Sequence, residues 1–169
     1  MRVRIIGANG FIGRHLVQAL RAHRDLMVCV RNPESAMKHH PGVETVVRDF
    51  STATTVEAWL PSLHGVDCVI NAVGIIRESG MQTFEQLHHR APCALFQACA
   101  HAGVKKVIQI SALGADDTAF SQYHLSKQAA DDCLRQLDLD WVIVKPSLVY
   151  GPGGTSAAFF KALAALPLI

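Results

Sequence analysis

This chain has few of the features that mark specialised proteins. None of its five cysteines (Cys29, Cys68, Cys93, Cys99 and Cys133) stands in a CxxC pair. The usual zinc and redox spacings are therefore missing, and the cysteines read as small buried apolar residues in a reducing compartment. Nine histidines occur without HxxxH or HExxH spacing. They are expected at the surface, and no metal site is expected. Only 18% of the residues are charged, the formal charge is +2, and Lys and Arg are scattered singly. Nucleic acid is thereby excluded as an expected partner. No apolar run reaches the length of a membrane span. Arg4 and Arg14 interrupt any apolar core near the N-terminus, so a signal peptide is not expected and a cytoplasmic protein is. Repeats, low-complexity segments and interior linkers are also missing.

What is present is a core. Half of the 169 residues are hydrophobic, enough for one well-packed domain. The most telling stretch is Arg2–Ala22. A short apolar run, Val3 to Ile6, leads into glycines at three-residue spacing, Gly7, Gly10 and Gly13. Ile12, Leu16, Ala19 and Leu20 then recur at helical spacing. Strand, glycine turn and helix in that order form the first unit of a dinucleotide-binding fold. Gly7 allows the tight turn, Gly10 lets backbone N–H groups approach a pyrophosphate, and Gly13 lets the helix pack close to the sheet. Asn9, Phe11 and Ile12 lie in the same turn and are expected at the cofactor. The helix N-terminus adds its positive dipole end. Glycine-rich turns also serve plain strand–helix connections, so the rest of the chain has to decide.

Further strands are expected at Leu26–Val30, Val43–Arg48, Val66–Asn71, Val107–Ser111 and Trp141–Lys145. Helices are expected at Val56–Leu63, Gln82–Ala102 and Ser121–Leu137. Pro92 should kink the second of these or move its start to near Ala91. Strands alternating with helices predict a doubly wound α/β fold, a parallel sheet in the order 3-2-1-4-5-6. In such a fold Arg31 ends the second strand beside the adenosine ribose. An arginine there pairs with the 2′-phosphate of NADP, where an acidic residue would select NAD; the alternative is a solvated loop charge. Asp49 and Phe50 end the third strand. Asp49 would bond the adenine amino group or simply cap the turn that follows. Ala72, Val73 and Gly74 form a small-residue turn beside the nicotinamide-side ribose.

Tyr123 and Lys127, four residues apart, share one face of the predicted fifth-strand helix. An ammonium near a phenol lowers the phenol's pKa. Such a tyrosine serves as acid or base toward a carbonyl or alcohol. The lysine can also bond the nicotinamide ribose, and Ser111, at the tip of the neighbouring strand, would hold the substrate oxygen. An ordinary solvated i,i+4 pair is the alternative.

Together, Gly7-x-x-Gly10-x-x-Gly13, Asn71-Ala-Val-Gly74, Ser111, Tyr123-x-x-x-Lys127 and Lys145-Pro146-Ser-Leu-Val-Tyr150-Gly151-Pro152 resemble the short-chain dehydrogenase/reductase superfamily. The resemblance covers nearly the whole chain. The segments Asn71–Arg77 and Ser111–Ala115 are most similar to its atypical branch, near the epimerase/dehydratases and the accessory subunit of respiratory complex I. The resemblance implies Tyr123 as acid/base, Lys127 as its partner, Gly7, Gly10 and Gly13 at the pyrophosphate, Pro146 at the cofactor, and NADP(H) over NAD(H) through Arg31.

Three departures from the family pattern stand out. Ala112 and Leu113 occupy places where sugar-nucleotide epimerases carry a second Ser or Thr. His88 stands near the place of an Asn in the extended branch. Members of the extended branch run on into a C-terminal substrate domain, whereas here residues 1–154 are expected to form the nucleotide-binding domain and 155–169 only the start of a C-terminal substrate region. A last apolar helix is expected over about Ser156–Leu166. Its patch around Phe159 and Phe160 would be covered in a homo-oligomer or a larger complex. Two functions follow: an NADP(H)-linked oxidoreductase, epimerase or dehydratase acting on an unidentified small molecule, or a non-catalytic NADP(H)-binding module for structure or assembly.

Overall fold

In the computed structural model, residues 1–154 are described; the expected terminal helix and its apolar patch lie outside them. Six strands form one all-parallel sheet in the order β3-β2-β1-β4-β5-β6. They are β1 Arg2–Ile6, β2 Asp25–Val30, β3 Glu44–Val47, β4 Cys68–Asn71, β5 Lys106–Ile110 and β6 Asp140–Val144. This is the doubly wound Rossmann-type fold predicted. The first four strands end within two residues of their predicted ends. Their central members are buried on both faces, which is why they read as near-continuous apolar runs.

Helices α1 (Phe11–Leu20) and α2 (Pro33–His39) cover one face, packing Val17 and Ala36 on Val3, Ile5 and Val28. Helices α3 (Val56–Trp59), α4 (Ala91–His101) and α5 (Gln122–Arg135) cover the other, around Trp59, Leu95, Phe96 and Leu134. In α1 Gly13 and Val17 are buried, Leu16 and Leu20 of the expected stripe pack partly buried against the same core, and Ala19 is exposed. Helix α2 was not anticipated from the apolar pattern, because only Ala36 of it is buried. Its signal is polar: Asn32 Oδ1 accepts from the N–H groups of Glu34 and Ser35 at 2.9 and 3.3 Å, and Pro33 fills the first helical position.

The long predicted helix is divided at Pro92. A π-helical turn, Glu85–Arg90, precedes α4, which starts at Ala91. Proline has no N–H to continue the narrower ladder, and the chain widens where that bond is missing. The wide turn carries His88 inward, where it is wholly buried, and His40 is nearly so. Surface placement therefore fails for these two histidines. Among the cysteines, Cys29, Cys68 and Cys99 are buried as expected. Cys93 and Cys133 are partly buried free thiols that face each other across α4 and α5, joined by a hydrogen bond. Arg4, inside β1, is buried with its guanidinium 3.4 Å from Met27 Sδ, and burial lowers its pKa.

Candidate functional site

The order of the sheet reverses between β1 and β4. In open α/β sheets the crevice at that point, beyond the carboxyl ends of the strands, is where ligands bind. The β1–α1 turn forms its floor. Gly7 has φ +79°, and a Cβ there would lie 2.9 Å from Val73 N, so the turn presses directly on the one that follows β4. Gly13 is tighter still, its Cβ position being 2.2 Å from Gly7 O. This glycine lets α1 sit under the turn, and it lines neither of the clefts described next. Gly10 differs from both. It caps α1 without any side-chain bond, no acidic residue stands in the first turn, and its extended φ of −70° suits any residue. The positive end of α1 is thus left for a ligand.

Two clefts meet at Gly10 and Val73. The first, about 340 Å³, is lined by Gly7, Asn9, Arg31, Asp49 and Phe50 among others. Arg31 is exposed at the end of β2. Asn9 holds its side-chain oxygen 3.0 Å from His40 Nε2, so a buried histidine at the end of α2 steadies the glycine turn. Asp49 Oδ1 accepts from both N and Oγ of Ser51, at 2.9 and 2.7 Å. That is the turn-capping arrangement weighed against adenine contact. Arg48 also lines this cleft, its guanidinium 5.7 Å from the centre of the Trp59 ring. It carries no local motif and sequence reading passed over it.

The second cleft, about 500 Å³, is lined by Phe11, Ile12, Ala72, Val73, Gly74, Ser111, Tyr123, Lys127 and Pro146, with aliphatic walls from Ile76, Leu113 and Leu148. Lys127 is buried. Its Nζ donates to Val73 O at 3.1 Å and Ile110 O at 3.2 Å, tying α5 to the ends of β4 and β5. Burial brings its pKa down to about 8, against the opposing pull of Asp131. Tyr123 departs from expectation: burial raises its pKa, and Lys127 is not among the causes acting on it. The ammonium is spent on two carbonyls, and desolvation of the phenol prevails.

Ser111 departs as well. Its Oγ donates to Asp131 Oδ2 at 2.6 Å, so its hydroxyl hydrogen is engaged by a buried carboxylate and its lone pairs are what it offers the cleft. Burial raises the Asp131 pKa, and Lys145 Nζ lies 3.9 Å from its Oδ2. Asp131 is one turn after Lys127 on the same helix and is wholly buried. His124 lines the same cleft and stands edge-on to Tyr123 at 5.1 Å. His88 is buried behind Tyr123, its ring centre 5.3 Å away. For Asp131 the i,i+4 spacing from Lys127 was an available signal; for His88 there was only its place near the family's Asn.

Comparison with known proteins agrees with this geometry. Residues 7–161 match the family model described as NAD(P)H-binding. A ceramide reductase of Caulobacter vibrioides is 32% identical over 96% of this chain and 51% of its own length. The mitochondrial NADH dehydrogenase [ubiquinone] 1 alpha subcomplex subunit 9 of Arabidopsis thaliana is 28% identical over 98% of this chain and 43% of its own. The chain thus spans about half the length of these two relatives. Among solved structures, a putative NAD-dependent epimerase/dehydratase from Bacillus halodurans superposes with a TM-score of 0.77 at 25% identity, over 92% of this chain and 74% of that one. The expected resemblance to short-chain dehydrogenase/reductase proteins of the epimerase/dehydratase type therefore holds, and the chain belongs to the NAD(P)H-binding family.

Proposed function

We propose that this chain binds NADP(H) in preference to NAD(H) and supports reduction of a carbonyl, or oxidation of the matching alcohol, with Tyr123 and Lys127 as its working pair. The observation that carries this reading is their shared cleft: both line it together with Gly10 and Gly74, so proton donor and glycine turn address one volume. The residues fit a dinucleotide. Gly10 leaves the α1 N-terminus uncovered, and the two clefts run to either side of it. The bound nicotinamide supplies or accepts the hydride. A phenol is protonated at neutral pH and burial raises the Tyr123 pKa further, so Tyr123 acts as an acid, giving its proton to a carbonyl oxygen as the alcohol forms. Lys127 holds the floor of the cleft through Val73 and Ile110 and presents its remaining N–H to a ribose hydroxyl. Arg31, exposed at the end of β2 and lining the first cleft, is the residue proposed to pair with a 2′-phosphate. The aliphatic walls favour an apolar carbonyl compound, in keeping with the reductase among the relatives.

A second reading has its own support. The Ser111 hydroxyl is engaged in donating a hydrogen bond to Asp131, and Ala112 and Leu113 offer no hydroxyl in its place. A cofactor held for structure or assembly, as a module similar to the complex I subunit, needs neither. Fluorescence titration with NADPH and NADH, followed by NADPH oxidation against a panel of ketones and aldehydes, separates the two. Turnover lost in Tyr123→Phe supports the enzyme. Tight NADPH binding with no turnover on any carbonyl supports the module. Equal affinity for both cofactors defeats the NADP preference.

A further inference from the structure

We propose that His88 is a positioning residue that sets the turn Val73–Ile75 against the helix carrying Tyr123 and Lys127. It rests on the proposed function, in which that turn and helix flank the reacting atoms. The hydrogen-bond chain through His88 has a single sense. The Ile75 N–H donates to His88 Nε2 at 3.0 Å, so Nε2 carries no proton and Nδ1 does. Nδ1 lies 3.1 Å from Ser126 Oγ. Ser126 in turn donates its hydroxyl proton to Tyr123 O at 2.9 Å, leaving a lone pair for the histidine. Each donor has one acceptor, and the chain joins the end of β4 to the first turns of α5.

Lys127 grips the same turn from its other side, at Val73 O. The two clasps sit on either side of Gly74, where a Cβ would lie 3.3 Å from Lys127 Nζ and 3.7 Å from His88 Nε2. The ring itself is locked, stacked on Phe84 at 5.2 Å and edge-on to Tyr123 at 5.3 Å. A histidine that merely filled space would leave its two nitrogens to whatever lay near. Here both bond to the two elements that hold the candidate chemistry. The π-helical turn is what brings it there, and π-turns concentrate at functional sites.

The test follows from side-chain reach. A Gln amide extends to the place of Nε2 and keeps the Ile75 bond, whereas an Asn amide reaches only the place of Nδ1 and keeps the Ser126 bond. NADPH affinity is read by fluorescence. Tyr123 ionisation is read by tyrosinate absorbance in a Tyr150→Phe background, since the chain has two tyrosines. His88→Ala is expected to weaken NADPH about tenfold, as loss of a buried bond would, and to bring Tyr123 ionisation down toward that of an ordinary tyrosine as water enters. His88→Gln restores NADPH affinity and His88→Asn does not. Unchanged NADPH affinity and unchanged Tyr123 ionisation in His88→Ala overturn the proposal, as does equal behaviour of Ala, Gln and Asn. If His88→Ala fails to fold, Ser126→Ala breaks the chain at its other end and is read by the same Tyr123 signal. A parent protein that binds neither cofactor overturns the proposed function instead, and the Tyr123 titration still decides the role of His88.

Discussion

The two clefts that meet at Gly10 and Val73 are built on opposite plans. On the β1–β3 side the site is made by what is missing. Gly7 and Gly10 have no side chains, α1 has no side-chain cap, and Arg31 stands in solvent. On the β4–β6 side it is made by what is crowded in. Lys127, Ser111, Asp131 and His88 are all buried, and each is bonded to another part of the protein. A cradle of backbone costs little to keep empty. A set of buried polar groups is stable only while every member keeps its partner. Substitutions should therefore act on binding in the first cleft and on both stability and chemistry in the second.

The sharpest way to break that division is within the glycine turn itself. Gly13→Val forces a side chain into backbone 2.2 Å away and should cost more than about 4 kcal/mol, leaving little folded protein in thermal or urea melts. Gly10→Val has an allowed backbone and one close contact, Gly7 O at 3.2 Å. It should melt within a few degrees of the parent yet lose cofactor binding, as seen by NADPH fluorescence. If the two variants behave alike, the open cradle is not a separate element.

The crowded side predicts a trade. Burial lowers the Lys127 pKa from 10.5 to about 8. The folded state therefore resists the charge that the unfolded chain accepts. The cost is fully present below pH 8 and is relieved as pH rises toward 10.5. Lys127→Met should lose turnover by about 10²–10⁴ while gaining up to about 3 kcal/mol of stability at neutral pH. A less stable Lys127→Met would mean that the bonds to Val73 and Ile110 outweigh desolvation.

His88 gives the acid counterpart. Burial, with Lys127 beside it, takes its pKa from 6.5 to about 3. Between those values the unfolded chain binds a proton that the folded one refuses, so stability falls as pH drops through the window. From pH 7 to pH 5 the loss from this group should be about 2 kcal/mol in urea unfolding. His88→Gln should flatten that part of the profile, and an unchanged slope would remove His88 as its source.

The smallest effect is expected back on the open side. Arg31→Ala should weaken NADPH by about tenfold, the scale of one exposed charge-assisted contact, and leave NADH nearly unchanged. Its melting temperature should not move, because Arg31 is exposed. A loss of equal size for both cofactors would place Arg31 away from the 2′-phosphate.

Much of this was readable in residue order, for a physical reason. Strand and helix periods, the glycine spacing and the Tyr123–Lys127 spacing are relations between neighbours along the chain, and backbone geometry converts them into faces and turns. The sheet order followed from alternation, and nearly every residue expected at the cofactor lines one of the two clefts. Only packing could show that Gly13 serves the turn from beneath. Only packing, too, could decide who holds whose proton. Ser111 and Asp131 are 20 positions apart, Lys127 and Val73 are 54, and Ile75 and His88 are 13, with His88 inside a π-helical turn. A lysine read as the acidifier of Tyr123 instead bonds two carbonyls, and a histidine expected in water is wholly buried behind Tyr123. Residue order determined which chemical groups this chain owns and which face of its element each occupies. Tertiary structure alone decided their partners and their exposure to water, because both depend on distances between segments that no local period encodes.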